Sequence, residues 1–394
     1  MNRRFYLDVS CRQNPCHGER VCGDVYLAHN FVAEDRNIIV LSDGLGHGVK
    51  ANMLGILTTT MALNFTHEHK ETNRIAETIL RTLPVDSEKQ ISFATFSIVD
   101  IETDGQVNII EYENPQCLVL RGTEVFSPEW TCLLLDIDRK IGKELKTCSF
   151  QAQLNDRIVL FTDGVIQAGM GSRSAPMGWG LEQVHQFVAD QVRKNPSIDS
   201  SELAYKVVSE AIKKDGFEAK DDTSCVVIYF RHPRQLLICT GPPSSVEKDA
   251  DMAQKVKNFP GRKIICGGIT GTIIARELNL TIDENAIVSD PELPPMNKME
   301  GVDLLTEGII TLNKVHKILE NYNSNYPLTQ GPADQIVQLL LESDDIHFLV
   351  GTAINTAHQD VSLPVELEIR RTVVRRIMRT LEEKFLKHVS VEFM

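Results

Sequence analysis

Four short segments of this chain place aspartates where a strand or a turn would hold them still. They are Cys22-Gly23-Asp24, Asp43-Gly44-Leu45-Gly46-His47-Gly48, Thr162-Asp163-Gly164-Val165 and Lys220-Asp221-Asp222-Thr223-Ser224. A short carboxylate at the end of a buried strand is rigid, and a neighbouring glycine lets a carbonyl or a ligand come close. Each Asp-Gly taken singly reads as a turn. Several such carboxylates brought together would repel one another strongly unless a cation sat between them. Mg²⁺ or Mn²⁺ suits such a set, because both favour oxygen ligands and retain waters.

The elements that must position these groups are readable from hydrophobic spacing. Residues 36–41, Arg-Asn-Ile-Ile-Val-Leu, form a β-branched run that stops at Ser42-Asp43-Gly44. A helix is predicted over 49–65, with Leu54, Leu57, Met61 and Phe65 at three- and four-residue spacing, and a second around Ile75, Ile79 and Leu80. Strands are predicted over 92–99, 107–112, 117–120, 157–161 and 225–230, and helices over 181–192 and 203–212. The 157–161 run ends at Thr162-Asp163-Gly164. Beyond Pro233 a new pattern begins: strands over 235–239, 263–266, 302–305 and 346–350 alternate with helices over 272–280, 312–319 and 336–341. That alternation predicts a mostly parallel α/β sheet. The boundary is placed near 232–235, giving domains 1–232 and 235–394.

The 394 residues suit two domains. Hydrophobic residues make up 42% and charged residues 24%, which excludes a disordered or collagen-like chain. A net charge of −13 argues against an unspecific grip on nucleic acid. No apolar run approaches the roughly 20 residues of a membrane-spanning helix, and the first ten residues do not read as a signal peptide. Nine scattered cysteines read as reduced thiols in a cytoplasm.

In this order the four acidic segments resemble the motifs of the SpoIIE-like branch of the PPM/PP2C superfamily of metal-dependent protein serine/threonine phosphatases, a bacterial branch. Its motifs are Gly-Gly-Asp, Asp-Gly-x-Gly-x-Gly, Thr-Asp-Gly and Asp-Asp-x-Thr; here Cys22 replaces a glycine and Ser224 a threonine. The resemblance covers about residues 5–232. It implies a PP2C-like β-sandwich flanked by helices, followed here by a smaller α/β domain. It implies that Asp43 bridges two divalent ions, that Gly44 offers its carbonyl to one, that Asp163 and Asp221 bind the other, and that Asp24 supports the site. Asp222 is the second candidate in its motif. The implied chemistry is in-line attack on phosphorus by a metal-activated water, with no covalent phospho-enzyme. The implied substrate is a phosphorylated protein, often a small signalling protein in a partner-switching pathway.

Other residues invite sharper readings than their spacing supports. His47 reads as packing the glycine-rich turn, with a general acid as the alternative. Cys11, Cys16, Cys22 and His17 lack the two tight pairs of a structural zinc site. Arg20 reads as a surface arginine, equally as a phosphate donor. In the second domain, Gly267, Gly268, Thr270 and Gly271 lie between a strand and a helix, and read as a tight turn, with an anion-binding loop as the alternative. Thr306-Glu307-Gly308 and Gly351-Thr352 also follow strands, so three loops are predicted at one sheet edge. Residues 365–385 predict an amphipathic helix with a solvated basic face of Arg370, Arg371, Arg375, Arg376 and Arg379, or a docking surface for an acidic partner.

The expected function is a Mn²⁺- or Mg²⁺-dependent, cytoplasmic protein serine/threonine phosphatase that binds no nucleic acid or membrane. Its rivals are a catalytically silent PP2C-like sensor module and a small-molecule phosphatase with a ligand-binding second domain.

Overall fold

A computed structural model describes residues 5–31, 33–68, 75, 78–79, 81–82, 94–102, 104–135, 143–173, 175–287, 293–323, 326–353, 363–385 and 387–394. The chain divides into two compact units, Met1–His232 and Pro233–Met394.

In the first unit the strand runs β1 (Tyr6–Asn14), β2 (Val25–Phe31) and β3 (Arg36–Gly44) lead into helix α1 (Gly48–His67). Strands β4 (Ala94–Ile101), β5 (Gln106–Tyr112), β6 (Leu118–Arg121), β7 (Glu124–Phe126), β8 (Trp130–Leu135), β9 (Lys143–Gln151) and β10 (Asp156–Phe161) follow. Then come α2 (Asp163–Gln167), α3 (Leu181–Lys194), α4 (Ser200–Lys214) and β11 (Thr223–Arg231). One sheet has the order β1-β11-β10-β6-β7 and the other β2-β3-β4-β5-β9-β8, with every pairing between them antiparallel.

Strand periodicity explains the layers. Side chains alternate across a strand, so Ile39 and Leu41 of β3 meet Ile158 and Leu160 of β10 in the core between the sheets. Ile38 and Val40 face outward onto Ala62 and Leu63 of α1. Val159 and Phe161 face outward onto α3 and α4, against Val184, Val188, Leu203 and Val207. The result is a β-sandwich with helices on both outer faces, and the continuous apolar runs of β3 and β10 follow from burial on both sides. The helix expected around Ile75 and Ile79 is present at those two buried residues. Leu80, Ser92 and Phe93 lie outside the described residues.

Helix α1 departs from its predicted face. Its buried residues are Gly48, Ala51, Gly55, Thr58, Thr59, Ala62, Leu63 and Thr66; of the predicted stripe, Met61 and Phe65 pack half-buried against the core, Leu54 is half-buried and Leu57 is exposed. At Gly55 the helix lies too close to the sheet for any side chain: a Cβ there would sit 2.6 Å from Val25 Cγ2. Val49, Met53, Ile56 and Leu57 are left 62, 66, 49 and 41% exposed.

The second unit runs β12 (Gln235–Thr240), α5 (Asp249–Asn258), β13 (Arg262–Cys266), α6 (Gly268–Leu278), β14 (Ile282–Ile287), β15 (Met296–Met299), β16 (Val302–Thr306), α7 (Ile309–Asn321), α8 (Pro332–Glu342), β17 (Asp345–Val350), α9 (Leu363–Phe385) and β18 (His388–Phe393). The sheet order is β14-β15-β16-β13-β12-β17-β18. The five strands from β16 to β18 are parallel, and β14 and β15 form an antiparallel edge. Leu236 and Ile238 pack on α7, α8 and α9, while Leu237 and Cys239 pack on α5 and α6. Helix α9 buries Val373, Val374, Ile377 and Leu381 and exposes Arg375, Arg376 and Arg379. Arg370 and Arg371 do not join that solvated face. Both are partly buried; Arg370 Nη1 donates to the Gly351 carbonyl at 3.4 Å, and the Arg371 guanidinium lies 5.5 Å from the Phe393 ring.

Candidate metal centre

Antiparallel pairing carries the acidic segments to one end of the sandwich. Asp43 ends β3 opposite Thr95 of β4. Phe161, the last residue of β10, stands opposite Cys225 of β11. That register sets Thr162-Asp163 beside Asp222-Thr223-Ser224, and backbone bonds fix it: Thr162 N–H donates to the Ser224 carbonyl at 3.1 Å. Ser224 N–H donates in turn to Thr162 Oγ1 at 2.9 Å.

Asp24 is the buried anchor of the group. Its Oδ2 accepts from the Thr162 hydroxyl at 2.8 Å and from the Ser224 hydroxyl at 2.6 Å. Gln13 Nε2 donates to the Asp24 carbonyl at 3.0 Å. Its Oδ1 has no hydrogen-bond partner among the described residues. Burial pushes the carboxyl up to about 7 even though both hydroxyls favour the charged form. Asp222 is 2% exposed; its Oδ1 accepts from Cys16 N–H at 3.0 Å, and its Oδ2 has no partner among the described residues.

Asp43 is half-buried. Burial holds it well above the usual carboxylate range, reinforced by the charges of Asp24 and Asp163, a hydrogen bond with the Asp163 carboxylate, and the charge of Asp221. Asp221 is pushed up to about 6 by burial and then by Asp163. Its Oδ1 accepts from Asp222 N–H at 2.8 Å. Asp163 Oδ2 accepts from Gln167 Nε2 at 2.7 Å, one turn along α2. Gly44 is buried, and a Cβ there would lie 2.2 Å from the Ala51 carbonyl oxygen. No side chain fits between the end of β3 and α1, so this position stays backbone.

These five carboxylates therefore feel one another's charge, and two of their buried oxygens lack a hydrogen-bond donor. Uncompensated buried oxygens and crowded negative charge are what a divalent cation relieves. Among the described residues no three His, Cys, Asp or Glu side chains form a ready-made ligand set for one ion. The spacing suits a hard cation that completes its shell with carbonyl oxygen and water, as Mg²⁺ and Mn²⁺ do. The residues fit the group.

Other sequence candidates fall at the rim. His47 precedes α1 and does not pack the turn: it is exposed, with Nδ1 3.3 Å from Glu19 Oε1. Arg20 is exposed. Cys11, Cys16 and Cys22 are free thiols. Cys16 Sγ donates to the Lys220 carbonyl at 3.4 Å, and burial pushes Cys11 up to about 12. Gln13 was not singled out from the sequence, and the motif residues Thr162 and Ser224 were given no role there, although a buried Asp24 requires donors and their hydroxyls were available to supply them.

A family model described as "Stage II sporulation protein E (SpoIIE)" matches residues 33–231. The chain belongs to this family of PP2C-like phosphatases, and the family is one of metal-dependent phosphoprotein phosphatases. Among solved structures, the phosphatase domain of SpoIIE from Bacillus subtilis is 18% identical, with 59% of this chain and 95% of that chain covered and a TM-score of 0.44. The RsbU and RsbW domains of Rv1364c from Mycobacterium tuberculosis are 16% identical, with 64% and 67% covered and a TM-score of 0.46. No curated protein matches the chain in sequence. The family membership rests on the 33–231 match.

Proposed function

We propose that the first unit, residues 1–232, is a Mn²⁺- or Mg²⁺-dependent phosphatase that hydrolyses phosphoserine or phosphothreonine on a cytoplasmic signalling protein, of the partner-switching kind common in its family. The observation that carries this is the convergence of Asp24, Asp43, Asp163 and Asp221, each within reach of another's charge. When bound, two divalent ions supply an activated water and neutralise the phosphoryl oxygens. The chain's own part is to hold the ligands still. Asp43, which feels the charges of Asp24, Asp163 and Asp221, would hold both ions, and the Gly44 carbonyl would hold one of them. Asp163 and Asp221 would hold the other ion. Asp24, gripped by Thr162 and Ser224, and Asp222, gripped by Cys16 N–H, back them from the buried side.

A protein substrate is favoured over a small molecule by the exposed apolar residues Val49 and Met53, in the first turns of the helix that follows the Asp43 loop. The test is phosphate release from a phosphoserine peptide with added Mn²⁺ or Mg²⁺. Release from aryl phosphates alone, with phosphopeptides and phosphoproteins untouched, would sink the protein-substrate reading. Among the described residues no helix is long and apolar enough to cross a membrane.

Asp221 and Asp222 separate by substitution. Asp221→Asn is expected to cut the Mn²⁺-saturated rate by about 100-fold, the scale of losing one electrostatic group in a site. Asp222→Asn keeps an oxygen for Cys16 N–H and should cost roughly tenfold or less. The opposite ranking in kcat would reverse the two roles.

The acidic residues all precede Pro233, and the two units have separate cores. A chain ending at His232 is therefore expected to fold and to keep metal-dependent turnover of an aryl phosphate near the full-length rate. Circular dichroism and initial rates check this; a molten 1–232 fragment would show that the catalytic unit depends on the rest.

A further inference from the structure

The parallel strands β12, β13 and β16 end side by side at Thr240, Cys266 and Thr306. The pocket beyond these ends has a volume of about 280 Å³. The carboxyl ends of parallel strands are where open α/β sheets bind ligands. Five features of this one suit a ligand with chemically different parts.

Two helices start at the pocket, α6 after Gly267 and α7 after Gly308, and neither N-terminus is capped by a side chain. Their first N–H groups are positive ends that favour an anion. Thr270, 1% exposed, lines the same pocket, and its Oγ1 has no hydrogen-bond partner among the described residues. A Cβ on Gly267 would lie 3.0 Å from that oxygen, so the glycine lets the loop pack directly against the covered hydroxyl. An orphan buried hydroxyl costs stability unless something bonds it.

Arg370 reaches in from α9. A Cβ on Gly241 would sit 2.5 Å from its Nη1, and Gly241 has φ +80, a conformation that itself favours glycine. The bare backbone there gives the guanidinium its place at the wall. Opposite in character, the exposed Glu307 puts its carboxylate beside Gly268, where a Cβ would be 2.7 Å from Oε1. A bare anion would be repelled on that side, whereas sugar hydroxyls would be bonded. Ile269 and Ile310, 57 and 65% exposed, are apolar lips in the first turns of the two helices.

We propose that the second unit binds a small phosphate ester bearing hydroxyls and an apolar body, of the nucleoside monophosphate kind. The phosphate would meet Arg370 and Thr270 beside Gly241 and Gly267, the hydroxyls would meet Glu307 beside Gly268, and the base the two isoleucines. The volume lies just below the usual range for small-molecule sites, roughly 300–1,000 Å³, which suits a mononucleotide better than a dinucleotide.

Calorimetric titration of the full chain in chelator, which keeps the first unit from hydrolysing the probe, tests this with AMP, GMP, CMP and UMP, with adenosine and with inorganic phosphate. At least one monophosphate is expected to bind about tenfold or more tightly than phosphate or adenosine. Arg370→Gln and Thr270→Val should each weaken it, Arg370→Gln by about tenfold or more. Glu307→Gln, an exposed and foldable change, should weaken the monophosphate while inorganic phosphate, relieved of the carboxylate's repulsion, binds as well as before or more tightly. No binding by any monophosphate, phosphate binding as tightly as all four, or full affinity in both Arg370→Gln and Glu307→Gln would overturn the proposal.

Discussion

Asp43→Asn is expected to lose phosphatase activity by at least about 100-fold, the scale on which a single pre-positioned electrostatic group matters in an active site. The fold should survive the change and gain from it in the absence of metal. Asp43 is held well above the usual carboxylate range by burial and by the charges of Asp24, Asp163 and Asp221. Its ionised form is thus strained in the metal-free chain, and a neutral amide of the same shape removes that strain. The melting temperature without metal should therefore hold or rise, while the increase on adding Mn²⁺ shrinks. Asp163→Asn should lose activity in the same way. Wild-type rates in Asp43→Asn would refute its placement between the ions.

Stripping divalent cations with a chelator should abolish turnover, and returning Mn²⁺ should restore it. The effect on stability has a pH sign. Asp24 lies at about 7 and Asp221 at about 6, both raised from 3.8. Between the ordinary and the raised values the folded chain binds protons that the unfolded chain has released. Metal-free stability should accordingly fall as pH rises from about 4 to about 7, and then level off. Metal ions compete with those same protons. Mn²⁺ should thus raise the melting temperature much more at pH 8 than at pH 5.5. Chelator-resistant turnover, or an equal metal effect at both pH values, would remove the carboxylate cluster as the metal centre.

The carboxylates were legible because, although a single Asp-Gly reads as a turn, four acidic segments at strand ends in a fixed order match one family's motifs. Their donors were not. Thr162 and Ser224 are 62 residues apart, and each bonds an Asp24 more than a hundred residues away, a relation that only sheet register creates. Layering was hidden for a related reason: Ile38 to Leu41 is apolar throughout since both faces are covered, so the alternation that names a face is absent. Strands β1 and β18 escaped notice because their residues are half-buried and mixed in polarity. The face of α1 was partly misjudged, because close approach to a sheet selects small residues, and large apolar residues such as Leu57 then fall outside. Arg370 was read as solvated with its neighbours, although the start of α9 turns it toward the strand ends.

The outermost pairing of the first unit, β1 with β11, sets an order of events during synthesis. Cys16 bonds a side chain 206 residues further along, and Gln13 one 211 residues further. Contacts of such separation form late, because the intervening chain must be made and its loop closed first. At about 5–20 residues per second, Asp24 and Asp43 wait on the order of ten seconds or more for Asp221 and Ser224 to leave the ribosome. Until then Asp24 has neither a complete set of hydroxyl donors nor its neighbour Asp222. Closing the sandwich and completing the acidic cluster are the same step, so a growing chain has no half-active form to release on its surroundings.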